Sequence, residues 1–163
     1  MRLAFYRGPG DWITRTIRVL TGGPYSHVEI VFTDGARFSA SGRAPSGVRF
    51  NREPHGEGWD FLCIPATPHQ ERVARCFCAV LEGSAFKWRG LYRFIFPLLG
   101  DGPNSDWYCS ELVLWVLQRC FGYLKGVKLK IHPNQLHRLC RREFVLRLCV
   151  EMRSDCAANG NLL

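Results

Sequence analysis

The sequence predicts an α+β domain with a mostly antiparallel sheet, and three observations support this fold class. Short apolar or alternating stretches, typical of strands, occupy much of residues 2–64, whereas later apolar residues recur at helical spacing. Two of the strand-like stretches flank Thr33-Asp34-Gly35, a turn that is typical of antiparallel hairpins. With 163 residues, 47% of them hydrophobic, the chain can bury a core of its own. We therefore expect one domain over residues 1–152 and a flexible, polar tail over residues 153–163.

The first half of the chain is expected to supply the sheet. Arg2–Tyr6 has the composition of a strand, and Asp11 is a good N-cap for the amphipathic helix that follows. Gly22-Gly23-Pro24 is expected to end that helix. Further strands are predicted at Tyr25–Phe32, Arg37–Ser41, Val48–Asn51 and Trp59–Ile64.

The second half is expected to be mostly helical. Helices are predicted at Pro68–Phe86, at Ser105–Cys120 and from Pro133 to about Leu139, the last one capped by either His132 or Asn134. The first of these should bury one apolar face, formed by Val73, Cys76, Phe77 and Val80. A last strand is predicted at Arg142–Val150, and Lys87–Asn104 gives no clear prediction.

The cysteines indicate a reducing compartment. There are 8, but several lie within apolar helical patterns, where a free cysteine packs as a small hydrophobic residue. The start at Met1 lacks the charged and apolar regions of a secretory leader, so we expect a cytoplasmic protein, unless a non-classical export route or a phage delivers it. Neither zinc-ligand spacing nor a cofactor motif is present, so no metal and no cofactor are expected. The longest apolar run, Phe94–Gly100, is too short to cross a bilayer.

The net charge of +8 favours acidic partners in general. The basic residues are scattered, however, and no nucleic-acid-binding motif accompanies them. A solvated basic face is therefore expected, without a specific nucleic-acid partner. The sequence does not indicate an oligomeric state.

Cys109 is the cysteine most suited to chemistry. Asn104, Ser105 and Asp106 are good N-cap residues, so a helix is expected to begin just before Cys109. The positive end of a helix dipole favours the thiolate form of a thiol in the first turn, and a free backbone N–H there can stabilise an oxyanion. The alternative is a packing role, because Cys109 also lies on an apolar stripe of that helix with Leu112 and Val116.

His27 is the histidine most suited to be its partner. A three-residue turn pairs Phe32 with Ala36 and continues, strand against strand, as Ile30–Phe38, Glu29–Ser39, Val28–Ala40 and His27–Ser41. This register sets apolar residues against apolar and polar against polar, whereas a slip by one residue would not. Ser41, directly across, is therefore the first candidate to orient His27, Glu29 the second and Ser39 the third. For Ser39 and Ser41 the alternative is an ordinary polar strand position, and for Glu29 it is an exposed carboxylate at a sheet edge.

The other histidines are expected to be surface residues. His55 and His69 lie beside proline or glycine in loop or helix-start contexts, His132 precedes a proline, and His137 lies on a basic helix.

Two short motifs, PYSHVEIVF and WYCSELV, carry a resemblance to a known family. With Ser26, His27, Cys109, Ser110 and Glu111 they resemble the circularly permuted branch of the papain-like NlpC-type cysteine hydrolases, which includes YiiX-like bacterial proteins and the lecithin:retinol acyltransferase group. In this branch the histidine motif precedes the cysteine motif, as it does here. The segments LAFYRG and IHPNQLHRL are similar to those of phage and bacterial members.

The resemblance implies a papain-like domain in which an antiparallel sheet packs against a central, cysteine-bearing helix. It also implies a thiol hydrolase or acyltransferase, in which His27 deprotonates Cys109 and a thioester forms. The family's third polar residue lies on the strand after the histidine, where this sequence offers only Ser39 and Ser41.

The expected substrate is an amide or a peptide, such as a peptidoglycan stem peptide, and the enzyme is then a cysteine peptidase or amidase. An alternative is an acyl hydrolase or acyltransferase on lipid or thioester substrates, for which the aromatic segment Phe86–Leu99 could line an apolar groove. A second alternative, from another class, is a non-catalytic binding module that kept the fold.

Overall fold

A computed structural model describes residues 1–43, 47–86 and 107–159, the side chains of the last stretch up to residue 146. Within these segments the chain is α+β, with five strands in one antiparallel sheet and four α-helices. The strands are β1 (Arg2–Tyr6), β2 (His27–Val31), β3 (Arg37–Ala40), β4 (Val48–Asn51) and β5 (Trp59–Cys63). The helices are α1 (Trp12–Thr21), α2 (Pro68–Leu81), α3 (Cys109–Val116) and α4 (Pro133–Asn159). The predicted fold class, an α+β domain with an antiparallel sheet, is thus confirmed.

The sheet has the order β4-β3-β2-β1-β5, which puts β2 in the middle. β1 pairs with both β2 and β5, so Phe5 lies between Val28 and Asp60. All five strands were predicted, with ends that differ by at most two residues. Because β2 has a hydrogen-bonded neighbour on each side, the residues it carries are held by an interior strand of the sheet.

The hairpin between β2 and β3 has the predicted register. Phe32 N–H donates to the Ala36 carbonyl at 2.8 Å, Ile30 lies opposite Phe38, and Gly35 takes a left-handed φ of 81°. Only glycine adopts this conformation without a steric penalty, which explains the three-residue turn. The polar residues of β2 and β3 therefore share one face of the sheet, as the alternation indicated.

Helix α1 begins and ends where the sequence predicts. The Asp11 carboxylate accepts a hydrogen bond from Thr14 N–H at 3.0 Å, and Gly22 ends the helix with a φ of 61°. Both are standard means of pairing backbone groups that a helix end leaves without partners.

The cysteine-bearing helix α3 packs against β2 and β3, and its apolar side chains are buried. The helix begins at Cys109. The predicted start at Ser105 is therefore wrong at least for residues 107 and 108, which the structure describes and which are not helical. Tyr108 has extended backbone angles of −94° and 148°, and Trp107 forms a parallel bridge with Phe86. The predicted caps at residues 104–106 lie outside the described residues, as does most of the aromatic segment 86–99. After Val116 the chain continues in a π-helical turn, Leu117–Phe121, up to Gly122.

Helix α4 is one continuous helix where the sequence predicted a short helix followed by a strand. The strand predicted at Arg142–Val150 is wrong, because one continuous helix covers Pro133–Asn159 and so extends past residue 153, where the tail was expected to start. Leu136, Cys140 and Phe144 are buried at a spacing of four residues, which continues the helical pattern without a glycine or proline to break it. Of the two expected caps, His132 is the one used, since its Nδ1 accepts from Gln135 N–H at 3.2 Å.

Helix α2 is shorter than predicted and buries a different face. It ends at Leu81, just before Gly83 with a φ of 87°. Ala74 and Cys78 are its buried residues, whereas Val73 and Val80, which we expected in the core, are exposed. Small side chains at the contact let the helix approach the core closely.

Asn134 fastens the chain in front of β2. Its side chain accepts from Tyr25 N–H at 2.8 Å and donates to the Tyr25 carbonyl at 2.9 Å and to Thr21 Oγ1 at 2.7 Å. The residue is buried, so loss of the amide removes this partner from the Tyr25 N–H and carbonyl with no water to replace it, whereas Thr21 Oγ1 keeps its hydrogen bond to the Ile17 carbonyl.

We predict that Asn134→Leu lowers the free energy of unfolding by about 3 kcal/mol, because several buried partners lose their hydrogen bonds together. Urea denaturation followed by circular dichroism measures the change. Arg138→Ala, at an exposed position of the same helix, is the control and should change stability by less than about 0.5 kcal/mol. Similar stabilities for the two variants would contradict the fastening role of Asn134.

Candidate active site

Cys109 occupies the first position of α3 and is 2% exposed. It lies on the wall of a cavity of about 230 Å³, together with His27 and Ser41. Apolar and aromatic side chains form much of the remaining wall: Ile13, Ile17, Ala40, Trp59 and Phe86. Arg43 lines the same cavity, and its guanidinium donates to Asp11 Oδ2 at 2.6 Å. The thiol thus faces a small, mainly apolar space at the N-terminus of a helix.

The structure places His27 beside the Cys109 side chain on the wall of the same cavity, where the two groups interact, although they lie far apart in the sequence. His27 is the first residue of β2, and its side chain is 23% exposed. Its Nε2 lies 3.3 Å from Glu29 Oε1, an acceptor when ionised, so Nε2 carries a proton there. Nδ1 is then the ring nitrogen left for the sulfur.

The charges around His27 favour its protonated form. Burial opposes the imidazolium, but the Cys109 sulfur and the Glu29 carboxylate outweigh burial and raise the pKa of His27 to about 10. An imidazolium next to a sulfur is the arrangement that stabilises a thiolate.

Glu29 is a buried carboxylate whose oxygens both have polar neighbours. Oε1 accepts from Ser39 Oγ at 3.1 Å and lies beside His27. Oε2 lies 3.3 Å from His55 Nε2 and 3.5 Å from Arg37 Nη1. Burial alone would raise the pKa of Glu29, but these neighbours, His27 first among them, hold it far below its usual range. The carboxylate is therefore ionised at any ordinary pH.

Ser41, the first candidate to orient His27, has other partners. Its Oγ accepts from Arg43 N–H at 3.3 Å, and its own N–H donates to the Gly47 carbonyl at 2.8 Å. Ser39, the third candidate, binds Glu29 and not the histidine. The second candidate, Glu29, is the residue that contacts the His27 ring, because residues two apart on a strand lie on the same face.

Sequence reasoning missed two side chains that hold Glu29. Arg37 shares the face of Ser39 and Ser41 on β3, so the register that we used could have identified it. His55, expected at the surface, has a side chain only 12% exposed. It precedes β5 in an irregular segment, and no local pattern signals its contact with Glu29.

The remaining histidines are not in the cavity wall. His137 packs edge-on against Phe5 and also contacts the Tyr25 ring, at centroid distances of 4.9 and 4.6 Å, and burial lowers its pKa. His132 is the cap of α4, and His69 is exposed on α2.

The other cysteines with described side chains differ from Cys109. Burial raises the pKa of the Cys78 and Cys140 thiols well above the ordinary value and that of Cys120 to about 11, so these thiols stay protonated. Cys63 and Cys76 are free and exposed. Tyr108, beside Cys109, is buried and interacts with its side chain; burial raises the pKa of Tyr108, so its hydroxyl keeps its proton.

Two kinds of feature were searched for in the described segments without result. No group of three or more His, Cys, Asp and Glu side chains there is arranged to hold a metal ion. No helix there is both long and apolar enough to cross a membrane.

No protein-family model, no curated protein and no solved structure matches this chain. The class of site therefore has to be argued from its own geometry.

We predict that Cys109→Ala lowers the pKa of His27, because the sulfur supplies the main interactions that raise it. Titration of the His27 ring protons by NMR measures the pKa, with Cys63→Ala as the control. In wild type the folded-state pKa lies above the unfolded value of about 6.5. His27 therefore adds stability that is complete below about pH 6.5 and is lost as the pH rises toward about 10. The same His27 pKa in Cys109→Ala and wild type would contradict the contact.

Proposed function

We propose that the protein is a cysteine hydrolase of the permuted papain-like type, with Cys109 as nucleophile, His27 as general base and Glu29 as the carboxylate that orients His27. The observation that carries the proposal is the chain of contacts from Cys109 through His27 to Glu29 at the wall of a cavity. A nucleophile bound to a base, itself bound to an orienting group, is the arrangement of nucleophilic acyl transfer.

The reaction would take place in two steps. His27 accepts the Cys109 proton, and the sulfur attacks the substrate carbonyl carbon, so that a C–S bond forms and the carbonyl oxygen becomes an oxyanion. The His27 imidazolium then protonates the leaving nitrogen, the C–N bond breaks, and a thioester remains. Water, deprotonated by His27, attacks the thioester, and the acid product leaves as the Cys109 thiol is restored.

The start of α3 is suited to stabilising the oxyanion. The first N–H groups of a helix lack intrahelical acceptors, and the Cys109 N–H is one of them. An N–H beside the nucleophile can donate to the oxyanion as it forms. Glu29 would keep Nε2 of His27 protonated and thereby present Nδ1 to the sulfur.

An amide or peptide, such as a peptidoglycan peptide, is the leading substrate. The resemblance of PYSHVEIVF and WYCSELV to the NlpC-type hydrolases supports it. So do the net charge of +8 and Arg43 at the cavity, which fit a substrate with carboxylates. Free, reduced thiols suit a reducing compartment, and we propose that the protein acts in the cytoplasm or after non-classical export or phage delivery.

A second candidate function is the hydrolysis or transfer of an acyl group from a lipid or thioester. The apolar wall of the cavity favours it, since Ile13, Ile17 and Phe86 offer contact to a hydrocarbon chain and few hydrogen bonds to a peptide. The chemistry at Cys109 is the same for both substrates. A binding module that kept the fold but not the reaction is the outcome to be excluded by experiment.

Iodoacetamide labelling tests the nucleophile. We predict that Cys109 is alkylated faster than the exposed Cys63 and Cys76, because the thiolate is the form that reacts and an imidazolium beside the sulfur favours it. His27→Ala should slow the alkylation of Cys109 at least about tenfold, since one pKa unit corresponds to a factor of ten. Peptide mass spectrometry reads each thiol separately, and His69→Ala is the control.

Alkylation of Cys109 no faster than that of Cys63 would exclude the hydrolase and favour the binding module. In that case Cys109 would be buried and unreactive, and packing would be its only role.

Chain-length dependence distinguishes the two substrate classes. If the acyl function holds, kcat/KM for p-nitrophenyl esters should rise from acetate to longer acyl chains, by up to about fourfold per added CH₂ group, because each buried CH₂ contributes about 0.8 kcal/mol. Ile17→Trp, which fills the cavity, should abolish the rise, whereas Val19→Trp at an exposed position of α1 should not. A flat chain-length series together with cleavage of short peptide amides would support the peptidase instead.

A further inference from the structure

We propose that His55 is a positioning residue of this site: it holds the Glu29 carboxylate in the orientation that His27 requires. The inference rests on the proposed function and adds a residue that neither motif of the sequence contains. His55 does not line the cavity and so acts through Glu29.

The two oxygens of Glu29 have different polar neighbours. Oε1 is within hydrogen-bond distance of His27 and Ser39, and Oε2 lies at ion-pair distance from His55 and Arg37. Within the described segments neither Oε2 nor His55 Nε2 completes a hydrogen bond, so the contact at the second oxygen is an electrostatic attraction. This attraction opposes rotation of the carboxylate about its last bond and keeps Oε1 directed at the imidazole.

His55 is better placed than Arg37 for this role. His55 Nε2 lies 3.3 Å from Oε2, whereas the nearest guanidinium nitrogen of Arg37 is 3.5 Å away. Arg37 also approaches a second carboxylate, that of Glu53, at 3.9 Å. Its charge is therefore shared between two partners, while the ring nitrogen of His55 faces Glu29.

Aromatic packing fixes the His55 ring itself. The ring meets Trp59 and Phe61 edge-on, at centroid distances of 4.6 and 5.2 Å and interplanar angles of 74° and 88°. Trp59 also contacts the His27 ring at 6.1 Å and lines the cavity. One side chain of β5 thus touches both histidines on either side of Glu29, so the three rings form one packed unit.

The charged and titratable groups around Glu29 determine the expected effect on pH dependence. They are His27 on β2, Arg37 on β3, His55 and Glu53 before β5, and, beyond His27, Cys109 on α3. Without His55 the carboxylate is less well directed, so it stabilises the His27 imidazolium less, and the imidazolium stabilises the thiolate less. The acidic limb of Cys109 reactivity should therefore move to higher pH.

The test is the rate of Cys109 alkylation by iodoacetamide between pH 4 and 9 in the full chain. We expect His55→Leu to raise the midpoint of the acidic limb by about one pH unit, so that the rate on that limb falls about tenfold. His55→Gln, whose amide N–H₂ can replace Nε2–H as the donor, should recover the rate to within about threefold of wild type. His69→Leu, at an exposed position of α2, should leave the profile unchanged.

Circular dichroism and thermal unfolding establish that each variant is folded. An unchanged profile in His55→Leu would overturn the positioning role, and so would equal losses in folded His55→Leu and His55→Gln. Should His55→Leu not fold, His55→Asn takes its place, because its shorter amide does not reach Glu29. A shifted midpoint in His55→Asn with recovery in His55→Gln supports the role, and identical profiles contradict it.

Failure of the proposed function gives a different result. In that case wild-type Cys109 reacts no faster than Cys63, and no variant at position 55 changes its rate. Fast wild-type alkylation with an unchanged His55→Leu profile would instead remove only His55 from the site.

Discussion

The candidate site depends on a buried negative charge, that of Glu29, and the surrounding structure has to offset the cost of removing this charge from water. An ionised carboxylate away from solvent is strongly unfavourable unless it is paired and hydrogen-bonded. Here the partners come from separate elements: the strand of Glu29 itself, the neighbouring strand, and the segment before β5. The charge thereby adds an electrostatic link between these parts of the chain, and together with the Cys109 sulfur it raises the pKa of His27.

The position of β2 explains why this arrangement holds. The strand lies in the middle of the sheet, paired with β1 and β3, and α3 packs against it. A register error in the hairpin would move Glu29 and His27 to the opposite face together, away from Cys109. Gly35, Phe32 and Ala36 fix the turn and hence the register. The geometry of the site is therefore set by the same residues that set the sheet.

The sequence allowed the hairpin, its register and the Cys109–His27 pair to be predicted, because each depends on local patterns: alternation, turn chemistry and residues at a helix start. It did not allow the choice between Ser41 and Glu29. That choice depends on the Ser41 hydroxyl, which accepts a hydrogen bond from the Arg43 N–H, and on the buried polar groups that let Glu29 remain ionised. His55 was beyond local reasoning altogether, because its partner is distant in sequence and its own segment is irregular.

The wrong predictions for the helices have a related cause. In α2 the larger apolar residues, Val73 and Val80, suggested the buried face, yet the smaller Ala74 and Cys78 are the ones buried where this helix contacts α3 and the π-helical turn after it. In α4 a run of apolar residues resembled a strand, and only the spacing of Leu136, Cys140 and Phe144 fits the helix that forms. Hydrophobicity alone does not distinguish these alternatives, because the available space in the core decides them.

Cys109 has features of both roles that the sequence left open. It is buried on the apolar face of α3, as a packing residue would be, and it is also the helix residue that contacts an imidazole. Cys78 and Cys140 are as deeply buried but have no such partner within the described segments, and burial keeps them protonated. Burial therefore does not by itself distinguish Cys109 from the other buried cysteines. What distinguishes Cys109 is the imidazole beside its sulfur, whose protonated form is favoured by the sulfur itself and by Glu29.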